Sequence, residues 1–147
     1  MACFVHLSDK QIAPPMAVLM NRVEERTNLD STIRLVTFAL DSESEKSMQD
    51  YANMVHAGKK RIYLSGNAQA VNQYAIDGFY GPVDSSYSKG FIHFFLIDKE
   101  GCIRGIYSAL KIKDTDKLID EISMLEAFYY IKNEKKEDKE RDKDEAI

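Results

Sequence analysis

Apolar and polar positions alternate along the chain in blocks short enough for strands and long enough for helices. Ala2 to Leu7 is a short, mostly apolar run ahead of a polar loop, the pattern of a buried strand. Ser8 to Gln11 has the composition of a capping box, but a helix begun there would carry Pro14 in its interior, without a donor and clashing one turn back. The helix is therefore expected to start at Pro14, with Ala13 in the cap position and Asn28 as its stop. Met16, Leu19, Met20 and Val23 then share one face.

Thr32 to Leu40 is β-branched and aromatic with an apolar second half, as in a parallel strand covered on both faces. Ser44 is placed to cap a helix from Glu45 to Ala57, with Met48, Tyr51, Ala52 and Val55 inward and Gly58 closing it. Arg61 to Ser65 reads as a short strand, Gly66-Asn67 as a turn, and Ala68 to Ile76 as a helix. Asp77 to Gly90 shows no period and reads as an irregular surface segment. Phe91 to Ile97 and Cys102 to Ser108 are strands joined by Asp98-Lys-Glu-Gly101, where the glycine supplies a positive φ. The last helix is expected over Asp114 to Asn133, with Asp114 as cap and Leu118, Ile122, Leu125 and Tyr129 inward.

This order, a βαβ half followed by a ββα half, predicts an α/β thioredoxin-like domain over residues 1–133, with a mixed central sheet and helices on both faces. The first strand is central, beside the strand Thr32 to Leu40 on one side and the hairpin on the other. Every residue from Glu134 to Glu145 is charged, with both signs mixed. Pairs such as Lys136 with Glu140 support a helix only weakly, so residues 134–147 are expected to form a frayed or disordered solubilising tail.

Composition narrows the function. At 147 residues and 44% hydrophobic, one domain buries roughly 68% of its unfolded surface and needs no disulfide or metal to fold. The net charge of −4 argues against nucleic acid as a partner, since phosphate binding draws on clustered excess Lys and Arg. No apolar run is long enough to span a bilayer, and no signal-peptide pattern opens the chain. Cys3 and Cys102 stand singly and far apart, so neither forms a Cys-x-x-Cys pair. Both are expected to be packing thiols, Cys3 on the central strand and Cys102 at the start of a hairpin strand.

Phe38-Ala-Leu-Asp41 with Tyr51-Ala52, Ile62-Tyr-Leu-Ser-Gly66, Phe91-Ile-His93, Leu96-Ile-Asp-Lys-Glu-Gly101 and Arg104-Gly-Ile-Tyr107 resemble, in order, the Sco/SenC proteins. These are thioredoxin-fold factors tied to copper delivery and cytochrome oxidase assembly, and the resemblance runs from Phe4 to about Leu125. It implies a loop between first strand and first helix carrying Cys-x-x-x-Cys-Pro, with a distant histidine completing a copper site. The two cysteines would fall at Asp9 and Ala13, so the dithiol is absent, and the histidine is matched by His93 with a shortened spacing to the following segment. The family is usually membrane-anchored, facing outside the cytoplasm or the mitochondrial intermembrane space. Its N-terminal hairpin and anchor have no counterpart here, which suggests a truncated product or fragment.

Two thiolates at a helix N-terminus plus an imidazole suit Cu(I). Asp9 brings one hard oxygen and Ala13 no donor, so copper, the family ligand, loses two of its three ligands and no cofactor is expected. His6, Asp9 and His93 together are a candidate weak site for Zn or Cu(II); the alternatives are a polar strand end for His6 and a backbone-bonded histidine for His93. His56 is expected to complement a helix dipole. Tyr129-Tyr130 and Phe79-Tyr80 are either a partner surface or a roof over the core.

The resemblance thus implies a degenerate, non-catalytic accessory or interaction module with a protein partner in copper delivery or respiratory-oxidase assembly. The competing reading is a thiol oxidoreductase or peroxidase working through one cysteine, which requires Cys3 or Cys102 to be exposed and reactive. A third is a truncated pseudo-domain that unfolds without cooperativity.

Overall fold

The computed structural model describes residues 1–27, 32–41, 44–79 and 92–146. Their elements are β1 (Ala2–Val5), α1 (Ala13–Arg26), β2 (Leu35–Ala39), α2 (Glu45–Met54), β3 (Arg61–Leu64), α3 (Ala68–Phe79), β4 (His93–Ile97), β5 (Ile103–Ser108) and α4 (Ile112–Glu145). The sheet order is β3-β2-β1-β4-β5. β1 runs parallel to β2, with Cys3 opposite Thr37, and antiparallel to β4, with Cys3 opposite Phe94. The expected mixed sheet with β1 at its centre is therefore present, and all four β1 residues are buried.

Alternation along the strands builds two cores. Cys3, Val5, Leu35, Phe94 and Leu96 face α1 and α4, together with Tyr51 and Val55 from the α2 region. Ala2, Phe4, Leu40 and Phe95 face α3, where Ala75 and Phe79 close over them. Phe4 is fully buried and stacks on Phe38 at 4.8 Å between ring centres, with Phe79 edge-on at 4.9 Å. Met16, Leu19, Met20 and Val23 all turn inward, as their spacing requires.

Several boundaries differ from expectation, each for a local reason. α1 begins at Ala13, not Pro14, because Asp9 builds a turn ahead of it: Ala13 N–H donates to Asp9 O at 3.0 Å. α2 stops at Met54, and the left-handed residue after it is His56 at φ 51° rather than a glycine. Gly58 answers a different demand, since a Cβ there would lie 2.0 Å from Glu24 Oε1. α3 continues to Phe79, past the expected end at Ile76. Asn28 and the irregular segment from residue 80 onward to 90 lie outside the described residues. The Asp98 turn is as expected, with Gly101 at φ 83°.

α4 departs most. Its cap is Lys111, and Asp114 sits inside the first turn with its carboxylate accepting from Ser108 N–H at 3.0 Å. The helix does not fray at Asn133 but continues through the charged stretch to Glu145, exposed on every side beyond Tyr130. No Gly or Pro interrupts that stretch, and Arg141 pairs with Asp138 at 2.7 Å one turn away, so intrahelical contacts carry the helix onward. Among the described residues, no helix is long and apolar enough to cross a membrane.

Candidate functional site

The parallel pair places the C-terminal ends of β1 and β2 side by side, so the loop after β1 meets the residues that follow β2. Asp41, two residues beyond β2, grips that loop. Its Oδ1 accepts from Leu7 N–H at 2.7 Å, and its Oδ2 accepts from Ser8 N–H at 2.9 Å and from the Ser8 hydroxyl. Burial pushes the Asp41 carboxyl up, but the Ser8 hydroxyl, the Ser8 and Leu7 N–H groups and the charge of His6 outweigh it and hold it below its ordinary value. Asp41 was legible only as part of a pattern of resemblance; nothing local marks it as the clamp, because its partners are 33 and 34 residues away.

Asp9 is tied through one of its two carboxylate oxygens. Its Oδ1 accepts from Gln11 N–H at 2.9 Å and Ile12 N–H at 3.0 Å, satisfying donors at the helix entrance. Ala13 is 1% exposed, and its carbonyl accepts from the Tyr51 hydroxyl at 3.2 Å. The position that would carry the second thiol is thus roofed over and holds no donor side chain. Beside the loop, Leu7, Ser8, Asp41, Asp50, Tyr51 and Met54 line an open depression of about 390 Å³. A cleft of about 620 Å³ lies at the other end of the sheet, between α4 and the Asp98 turn.

His6 is half-buried just after β1 and its carbonyl accepts from Asp9 N–H at 3.1 Å. His93 opens β4 opposite Ser108, exposed, on the sheet face it shares with Phe95, whose ring centre is 6.5 Å away. That is the face of α3, while α1 covers the other. Partial burial lowers the His93 pKa and the Asp114 carboxylate opposes the shift. Among the described residues, no three His, Cys, Asp or Glu side chains gather as metal ligands, so His6, Asp9 and His93 are not brought into one site. The donors present do not fit Cu(I): one hard, already bonded carboxylate, one alanine and a histidine on the far face.

The two thiols differ from each other. Cys3 is 3% exposed and lies 3.6 Å from Thr37 Oγ1. Burial pushes its pKa up to about 11, against the opposing pull of Thr37 and Arg61, which leaves it protonated and unreactive at neutral pH. Cys102, expected to pack, is exposed. It precedes β5 in the hairpin turn, at the end of the sheet away from the β1–α1 loop, and its N–H donates to Asp98 Oδ1 at 2.9 Å. Of the aromatic pairs, Tyr129 is a roof at 8% exposure, whereas Tyr130 is 66% exposed; Phe79 is buried and Tyr80 lies outside the described residues.

Sequence reasoning passed over a second constellation, at the other end of α1. The Arg61 side chain is 2% exposed and its Nε pairs with Glu24 Oε2 at 3.1 Å, while its Nη2 donates to Asn21 Oδ1. Glu24 also accepts from Gly58 N–H at 3.0 Å and Lys60 N–H at 3.4 Å. A lone Glu on a helix and a lone Arg opening a strand carry no signal of pairing until the fold joins them.

These features define a thioredoxin-like α/β domain whose loop between β1 and α1 is held by carboxylates that accept backbone N–H groups. Comparison with solved structures places its fold among Sco/SenC proteins. A SCO1/SenC family lipoprotein from Bacillus anthracis superposes with a TM-score of 0.74 at 19% identity, covering 84% of this chain and 79% of that one. Yeast Sco1 gives 0.62 at 16% identity, covering 84% and 82%. Arabidopsis thaliana ScoI, solved with copper bound, gives 0.62 at 18% identity, covering 84% and 82%. No protein-family sequence model matches the chain, and no curated protein sequence matches it.

Proposed function

We propose that the chain is a Sco/SenC-type protein that has exchanged metal and thiol chemistry for a fixed loop, and that it serves as a non-catalytic accessory or interaction module in copper delivery or respiratory-oxidase assembly. The observation that carries this reading is the state of Asp9: on the fold of Sco proteins, at the helix entrance, it is a hard carboxylate whose Oδ1 already accepts from Gln11 and Ile12 N–H. A loop tied down by Asp9 and Asp41 suits recognition, which profits from a preorganised surface. It does not suit a metal site that must exchange its cargo.

Two titrations test this. In competition with a Cu(I)-buffering chelator, the chain should take up no copper, while Asp9→Cys with Ala13→Cys should gain measurable Cu(I) affinity. In calorimetry, the chain should bind a dithiol-bearing Sco domain or the soluble copper-site domain of an oxidase at micromolar concentration, and Cys3→Ser with Cys102→Ser should leave that binding unchanged. Tight Cu(I) uptake by the unaltered chain, or no association with either domain up to about 0.1 mM, overturns the reading.

One observation favours the thiol-enzyme alternative, the exposure of Cys102. It predicts consumption of peroxide or of a small disulfide that Cys102→Ser abolishes and Cys3→Ser spares. Cys3, protonated and enclosed, has no part in it.

A further inference from the structure

We infer that α4 is a self-association helix, which pairs antiparallel with α4 of a second copy of this chain. Thr115, Leu118, Ile119, Ile122 and Tyr129 turn toward the body. Met124, Phe128 and Ile131 do not: they are 69%, 56% and 50% exposed. At about 100° per residue these three form a stripe roughly 150° around the helix from the buried face. A second helix can lie along that stripe with the two bodies on opposite sides.

The residues that continue the stripe at alternating spacings of three and four are charged and exposed: Asp120, Lys117 and Lys113 toward the N-terminus, and Lys135, Asp138 and Asp142 toward the C-terminus. Laying the apolar stripe on an antiparallel copy of itself puts Met124 against Ile131, with Phe128 at the centre. That single register sets Asp120 opposite Lys135, Lys117 opposite Asp138 and Lys113 opposite Asp142. Every flanking charge meets its opposite, twice by symmetry. A parallel pair in register would set each charge against itself. The paired stretch from Lys113 to Asp142 is about 44 Å long.

Complementary flanks around a short apolar centre specify register and orientation more than affinity. The contacts these side chains make within the helix leave the stripe available: Arg141 binds Asp138 as an exposed pair, and exposed Lys117 lies 3.8 Å from the half-buried Glu121, weak attachments that exchange readily. The same pairing accounts for a helix that runs on, fully exposed, past Lys132, whose ammonium meets Glu100 at 3.1 Å, as far as Glu145.

Sedimentation equilibrium of the full chain, up to about 0.5 mM, tests the inference. A reversible monomer–dimer equilibrium is expected, weakened at least tenfold in Phe128→Asp. Asp120→Lys alone should weaken the dimer, and Asp120→Lys with Lys135→Asp should restore it. All of these positions are exposed, so thermal unfolding of each variant at low concentration should match the parent. A monomer at every concentration, leaving the stripe to some other protein or to solvent, overturns the inference. So does a dimer that Phe128→Asp leaves intact, or a charge exchange that fails to restore association.

Discussion

The two ends of α1 solve the same problem in opposite ways. At its N-terminus, Asp9 and Asp41 are carboxylates near solvent that accept backbone N–H groups one bond at a time. At its C-terminal end, Glu24 is buried, holds the enclosed Arg61 guanidinium and also receives Gly58 and Lys60 N–H groups. Carboxylates near water can lose a bond and be rehydrated. A buried pair cannot, because removing one partner strands the other in a low-dielectric site. The N-terminal end is therefore the adjustable one, and the C-terminal end locks α1 to the α2–β3 connection.

The sharpest break of that contrast is Glu24→Ala. It leaves the enclosed Arg61 charge with Asn21 but without its counter-ion and should cost about 3–5 kcal/mol, read as a lower denaturant midpoint at unchanged slope. Gly58→Ala follows. Its new Cβ would meet Glu24 Oε1 at 2.0 Å, and displacing that carboxylate should cost about 1–3 kcal/mol. At the other end, Asp9→Ala removes acceptors of a kind worth about 1 kcal/mol at a helix entrance, a loss visible in the same unfolding curve. If Asp9→Ala proves as damaging as Glu24→Ala, the two ends are not different in kind.

Acid sharpens the comparison further. Asp41 is held below its ordinary value near 3.8 by bonds that exist only in the folded state. Asp98, whose carboxylate accepts from Cys102 N–H, the Arg104 side chain and Glu100 N–H, is held down in the same direction. A lowered carboxyl contributes stability that is fully present above its unfolded pKa and is lost as pH falls through its folded one. Stability should therefore fall below about pH 4, and Asp41→Asn should flatten part of that acid limb. The smallest expected effect is on thiol reactivity at neutral pH: a disulfide reagent should modify Cys102 promptly and Cys3 only on unfolding. Rapid labelling of both would mean that the β1 core opens readily.

Much of this architecture was legible along the chain. Short apolar and β-branched runs located the five strands of the described residues, the α1 stripe from Met16 to Val23 pointed inward as expected, and Gly101 marked its turn. The errors cluster where a side chain acts on a distant backbone. Ala13 was placed in the cap position because the turn built by Asp9 has no signature distinct from a loop. The sequence reads Gly58 as the close of a helix, although its missing Cβ answers to Glu24, 34 residues earlier. Cys102 was expected to pack, since a strand start does not tell inside from outside at an edge. The charged segment after Asn133 was expected to fray, because pairwise helix energies are small and nothing in the tail itself says what the exposed stripe upstream would meet.

The chain by itself determined the order of the elements, the absence of thiols at positions 9 and 13, and the mixed sheet that puts β1 at the centre. These depend on local periodicity and residue identity, which are written along the chain. Only the tertiary structure decided that Asp41 clamps the loop after β1, that Glu24 and Arg61 are one buried unit, and that His93 faces away from α1. Those facts depend on which strands lie side by side and which face each residue takes, and a contact across 30 or more residues leaves no trace in the composition of either neighbourhood.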